Sequence, residues 1–171
     1  ASFYVSHPQL AVRGTLGLQG RRFEVLGSAW LDHEWSESLM HPEAVGWDWF
    51  GMNLDGGHSL TAFQLRRADG SKLWAGGSFR AGSSAQSAND IYRFRPGELD
   101  WVPQRHWTSP RTRARYPVEW RVRTPADFYT VKAVIDPQEL DGQANTGTVY
   151  WEGLSHLYDS NGTQVGRGYL E

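Results

Sequence analysis

Apolar and polar residues alternate with a period of two along most of this chain, and no window repeats its apolar positions at helical spacing. Such alternation predicts strands that turn one face to a core and the other to water. Ser2-Phe3-Tyr4-Val5-Ser6 reads as an opening strand, and Leu10 to Leu18 alternates loosely up to a turn at Gln19-Gly20. In Arg22 to Trp35, one face carries Phe23, Val25, Ala29, Leu31, His33 and Trp35. The other carries Glu24, Leu26, Ser28, Trp30, Asp32 and Glu34. Met40-His41-Pro42-Glu43 is a loop, because a proline pushes its predecessor out of helical space. Gly46 to Asp55, His58 to Arg67 and Lys72 to Arg80 read as a three-stranded meander, turning at Asp55-Gly56-Gly57 and Asp69-Gly70.

Ala81 to Asn89 is small and polar and reads as a mobile loop with no apolar anchor. Ile91 to Phe94 and Leu99 to Val102 are short strand candidates around Pro96-Gly97, and His106 to Tyr116 reads as an ordered loop at a barrel end. Val118 to Arg123 and Phe128 to Asp136 are further strands, the second broken by Pro137-Gln138-Glu139. Thr146 to Tyr158 and Gln164 to Leu170 form a last hairpin across Asn161-Gly162. About ten short strands fit a closed barrel or a sandwich. An antiparallel barrel is preferred, because closure removes sheet edges and alternate residues then line an interior that can hold a ligand. The expected fold is all-β, in one domain spanning residues 1–171.

Composition sharpens this picture. The 171 residues suffice for one sizeable core, and aromatic residues at 13% let fewer, larger side chains fill it. A net charge of −2 argues against nucleic acid or an anionic membrane as the partner. The basic stretch Arg105 to Arg115 reads as a solvated loop. The absence of cysteine excludes disulfides, thiolate catalysis and cysteine-based zinc sites. No apolar run reaches the length of a membrane span, and no signal peptide is recognisable. A chain that opens and ends within regular structure is expected to be a processed form or a fragment of a longer protein.

Candidate chemistry concentrates between Ala29 and Phe50, where Trp30, Trp35, Trp47 and Trp49 accompany Asp32, His33, Glu34 and Asp48. A carboxylate moved from water into aromatic surroundings must be paired or have its pKa raised, and a raised pKa suits a general acid near neutral pH. The competing explanation is a salt-bridge network that closes the barrel. Asp32 and Glu34 fall on one face and His33 on the other, so the three cannot hold one metal unless the strand bulges. The remaining histidines are scattered, and neither a metal nor a cofactor is expected. Asp48 shares its face with Phe50 and Met52, and its partner is expected to be Arg66, Arg111 or Arg167. Glu152, between Tyr150 and Leu154 on one face of a late strand, poses the same question. No Gly-x-Ser-x-Gly elbow or phosphate-cradling glycine loop is present.

The stretches Gly27-Ser-Ala-Trp-Leu-Asp-His-Glu-Trp-Ser36 and Gly46-Trp-Asp-Trp-Phe50 resemble the carotenoid 1,2-hydratase (hydroxyneurosporene synthase) and AttH-like family, whose members are also labelled predicted secreted hydrolases. Ser109-Pro-Arg-Thr112, Tyr116-Pro-Val-Glu-Trp120, Asp136-Pro-Gln-Glu-Leu140, Tyr150-Trp-Glu-Gly153 and Gly166-Arg-Gly-Tyr-Leu-Glu171 extend the resemblance across the chain. It implies a lipocalin-like barrel matching the C-terminal one of two, so an N-terminal partner barrel is expected. It also implies a hydrophobic ligand, isoprenoid or lipid-like, and acid-assisted hydration or hydrolysis in a periplasmic or secreted setting, with a cytoplasmic one still open. The catalytic candidates are Asp32, His33, Glu34 and Asp48. The ligand-binding candidates are Trp30, Trp35, Trp47, Trp49, Tyr150, Trp151 and Glu152. A non-catalytic carrier or accessory barrel with salt-bridged acids is the alternative.

Overall fold

The structure, a computed structural model, describes residues 3–37, 40–82, 90–95, 97–143 and 148–171. The chain divides into two compact units, Ala1–His41 and Pro42–Glu171. The first is a long antiparallel ribbon of β1 (Phe3–Leu18) and β2 (Arg21–Trp35). Gln19 and Gly20 join the strands with φ of 50° and 75°, the left-handed pair that a two-residue hairpin loop needs.

The two strand candidates at the N-terminus are one strand interrupted by a bulge. Register shifts between His7 and Leu10, with Gln9 at a φ of 56°. One extra residue there switches the parity of β1. Phe3, Val5 and His7 before the bulge therefore share a face with Leu10, Val12, Leu16 and Leu18 after it, opposite the odd-numbered residues of β2. Pro8 sits in the bulge, where a missing N–H costs no regular ladder bond.

The second unit is a nine-stranded antiparallel sheet. Its strands are β3 (Gly46–Leu54), β4 (Ser59–Arg66), β5 (Lys72–Arg80), β6 (Ile91–Arg93), β7 (Asp100–Thr108), β8 (Arg115–Arg123), β9 (Phe128–Ala133), β12 (Gly153–Tyr158) and β13 (Gln164–Leu170). The spatial order is β6-β5-β4-β3-β13-β12-β9-β8-β7, so the last strand lies beside β3 and the two edges follow each other in sequence. A separate two-stranded piece pairs β10 (Glu139–Asp141) with β11 (Val149–Trp151). The sheet curls until its margins meet. Lys72 Nζ donates to the Leu99 carbonyl at 3.0 Å, and the Phe50 and Trp101 rings lie 5.1 Å apart across the interior. This is the lipocalin-like, all-β architecture that alternation and resemblance imply.

The inner face is filled by Phe50, Met52, Leu60, Trp101, Trp120, Trp151, Leu157 and Leu170. Trp101 and Trp120 meet edge to face with centroids 5.4 Å apart. Three segments differ from the sequence reading. Strands β7 and β8 run into both ends of the expected 106–116 loop and leave 109–114 to turn, because Trp107 stacks on Tyr116 across the pair at 6.2 Å. The break at Pro137-Gln138-Glu139 leads into β10. The expected strand 146–158 divides at Glu152, where the chain leaves β10 for β9 and β13. Gly153 follows because a Cβ there would strike the Gln138 amide and the Trp151 ring. Residues 83–89 of the expected mobile loop, Pro96 of the expected turn, and Thr146 and Gly147 of the expected strand lie outside the described residues. Among the described residues no helix is long and apolar enough to cross a membrane.

Candidate functional site

Three carboxylates in the barrel unit leave water, and each meets a different environment. Asp48 follows from the alternation of β3, which turns it inward with Phe50 and Met52 and leaves it 2% exposed. Gln64, its direct neighbour on β4, donates to Asp48 Oδ2 at 2.7 Å. Arg66 Nε stands 2.8 Å from the same oxygen, an ion pair by distance whose N–H is not aimed along the contact. Arg66 also donates to the Trp47 carbonyl at 3.0 Å. Burial pushes the Asp48 pKa up, and it stays raised although Arg66 and Gln64 oppose the shift.

Glu139 is caged. Its carboxylate, 5% exposed, accepts from Ser109 Oγ at 2.9 Å, Thr112 Oγ1 at 2.6 Å and Tyr116 OH at 3.0 Å, with Arg111 3.6 Å away. Burial would raise its pKa, but the three hydroxyls and Arg111 together outweigh it and the pKa is lowered. Tyr116 is pushed up to about 12, first by burial and then by Glu139. The acid thus pins the 109–114 turn to β10. Beside it, Arg105 clasps Asp136 through two bonds of 2.6 and 2.9 Å, while the Trp151 indole N–H donates to the Asp136 carbonyl at 2.6 Å.

Glu152 is bare. Half-buried between β11 and β12, it has no side-chain partner among the described residues, and burial raises its pKa. The Tyr150 phenol is raised by burial, then by the charges of Glu152 and Glu171. Glu171 in turn exchanges both backbone hydrogen bonds with Trp49, at 3.0 and 2.8 Å. Tyr150, Glu152 and Glu171 thus form one electrostatic group, which the Glu171 backbone ties to Trp49.

The other sequence candidates fall elsewhere. Trp151 is part of the core. Trp47 and Trp49 lie on the sheet face opposite Asp48, directly across from Leu65 and Phe63. In the ribbon unit, Asp32 accepts from Ser6 Oγ at 2.5 Å and from the Trp30 indole at 2.7 Å. Glu34 shares that face, and His33 takes the opposite one, its ring 5.0 Å from that of Trp35. Among the described residues no three metal-ligating side chains converge.

Sequence reasoning missed an apolar cavity of about 270 Å³, lined by Leu60, Phe79, Tyr92, Phe94, Thr124, Pro125, Ala126 and Tyr129. It opens where β6 passes the β8–β9 turn. Leu60 lies four residues along β4 from Gln64, so Asp48 sits roughly 13 Å away at the strand spacing. The Tyr129 hydroxyl takes no hydrogen bond among the described residues, and burial raises its pKa, keeping the phenol a donor. The indole N–H groups of Trp101 and Trp120 are buried and have no acceptor among the described residues. A larger, open groove of about 530 Å³ on the outer face of β8, β9 and β12 is polar, with Arg121 held over the Phe128 ring at 4.7 Å. No local signal marks the apolar cavity, since its lining comes from five separate stretches of chain.

An AttH-like family model matches residues 1–171. The chain belongs to the AttH-like family. An AttH protein from Nitrosomonas europaea is 43% identical, superimposes with a TM-score of 0.87, and is matched over 99% of this chain and 51% of its own. Kievitone hydratase from Nectria haematococca shares the fold at 18% identity and a TM-score of 0.72, over 99% of this chain and 52% of its own. The chain therefore spans about half the length of both. No curated protein matches it.

Proposed function

We propose that the barrel of this AttH-like chain binds a small hydrophobic molecule carrying a hydrogen-bond acceptor, seated in the cavity between β6 and the β8–β9 turn. The observation that carries this reading is the cavity itself, a concave apolar surface with the Tyr129 phenol as its polar contact, since the Thr124 hydroxyl already donates to the Asp127 carbonyl at 3.0 Å. Tyr129 is the donor suited to orient an oxygen of the ligand. Tyr92 is engaged elsewhere, donating to both Glu98 oxygens at 2.8 and 3.0 Å. Titration with a neutral fluorescent probe such as N-phenyl-1-naphthylamine should show saturable binding. Phe79→Asp should abolish that binding, and Tyr129→Phe should weaken ligands bearing an oxygen while sparing pure hydrocarbons. Equal affinity in all three proteins would refute the assignment.

A second reading, acid-assisted addition of water, is favoured by Glu152. A carboxyl whose pKa is raised by burial and which holds no partner can surrender a proton without dismantling an ion pair. Asp48 could donate only by leaving Arg66 and Gln64. One fold neighbour is named a hydratase, which makes kievitone a reasonable first probe for a product heavier by one water. Glu152→Gln should remove any such turnover and Asp48→Asn should reduce it less. The opposite ranking would transfer the role to Asp48.

A further inference from the structure

The β1–β2 ribbon is amphipathic in a way that its own unit does not resolve. Val5, Leu10, Val12, Leu16, Phe23 and Leu31 all project from one face and all are exposed, Leu16 and Leu31 at 53% and 51%. The other face carries Arg13, Arg22, Glu24, Asp32 and Glu34 among its polar residues. Two strands of 16 and 15 residues form no further ladder among the described residues. A lone two-stranded sheet is marginal in water, and a contiguous apolar patch of this extent marks a contact surface. The bulge at Pro8-Gln9 matters here. Without it, Gln9, Ala11, Arg13 and Thr15 would occupy the face that Leu10, Val12 and Leu16 now hold.

We propose that this face is the contact between two copies of the chain, ribbon against ribbon about a two-fold axis. The face presents no acid, and its only cation is Arg21 at the hairpin end. It is therefore complementary to itself and needs no matching charge pattern on a partner. Mating two faces each about 50 Å long and 10 Å wide removes on the order of 1,000 Å² of accessible surface, the threshold for a specific interface.

Sedimentation equilibrium of the intact chain should give the mass of two copies. Leu16→Lys should raise the dimer dissociation constant by about 100-fold, because each copy would bury an unpaired ammonium. Ser28→Lys, with the same charge on the opposite face, should leave the dimer intact. A nitroxide on Leu16→Cys, the single thiol of an otherwise cysteine-free chain, gives a second readout through dipolar coupling between copies. A single-chain mass at every concentration overturns the proposal, as does a dimer indifferent to Leu16→Lys. A monomer that takes up a different folded partner on this face overturns it as well.

Discussion

Replacing Glu139 by alanine tests how the barrel holds the turn between β7 and β8. The wild-type carboxylate receives three hydroxyl hydrogen bonds and a cation at 3.6 Å. Hydrogen bonds to a charged group contribute about 1.5–3 kcal/mol each, but they do not add fully when they share one acceptor. After the substitution, water can reach Thr112 and Tyr116, whereas Ser109, 1% exposed, stays dry and unpaired by any carboxylate. The net loss should be about 3 kcal/mol, which for a unit of this size lowers Tm by about 10 °C. The pH dependence follows from the lowered pKa of Glu139. Its stabilisation is complete above the ordinary glutamate value of 4.5 and is lost as pH falls through the lower, folded-state value. The gap in Tm between wild type and Glu139→Ala should therefore be full at neutral pH and shrink in acid. Differential scanning calorimetry across that range decides it. A drop under about 3 °C at neutral pH, or a gap that widens on acidification, would refute the argument.

In Glu139→Ala the Tyr116 pKa should fall from about 12 but stay above an ordinary phenol, since burial is the larger cause; ultraviolet titration of the phenolate reads this directly. Asp48 carries the opposite sign. Its raised pKa means that the folded state takes up a proton, so stability declines as pH rises from 3.8 through the folded-state value. Asp48→Asn should gain on wild type over that window in urea denaturation, and a flat difference would mean that Arg66 cancels the burial. Gly168→Ala drives a Cβ into the Gly51 carbonyl across the β13–β3 pair and should cost about 3 kcal/mol; a change below about 0.5 kcal/mol would contradict the packing. Gly76→Ala should displace the Trp74 indole that lies against it and next to Phe63, visible as a shift in tryptophan emission with little change in fold.

Strand placement was legible because alternation and turn residues are local. Asp55-Gly56-Gly57 and Asn161-Gly162 mark turns whose glycines adopt φ of 72°, 80° and 80°, and the face assignment of β2 follows from parity alone. The misread segments are those where a distant partner decides. Residues 106–108 and 115–116 are short runs beside a turn that holds Pro110, Arg111 and Arg113, and do not announce a strand, yet the Trp107–Tyr116 pair carries the ladder through them. The partner change at Glu152 depends on β10, a three-residue strand directly after a proline-containing break. Parity also foresaw that Asp32 and His33 would part company, but not that Asp32 would be satisfied within the ribbon by Ser6, 26 positions earlier.

Asp48, Glu139 and Glu152 show why the chemistry was harder to read than the fold. All three are carboxylates leaving water; aromatic residues adjoin Asp48 and Glu152 but not Glu139, and nothing in those neighbourhoods shows how each acid is paired. What separates them is supplied 16 or more residues away. Gln64 and Arg66 tether Asp48, the hydroxyls of a turn near Ser109 enclose Glu139, and among the described residues no side-chain partner reaches Glu152. The physical consequences diverge accordingly. A caged carboxylate with a lowered pKa stays ionised and fixes a turn; a tethered one with a raised pKa must break an ion pair before it can act. A bare one with a raised pKa can exchange its proton with whatever approaches. Alternation selects which acids turn away from solvent, but availability for proton transfer is set by the cross-strand register, and by that criterion Glu152 stands apart from the acids that the tryptophan-rich stretch brings forward.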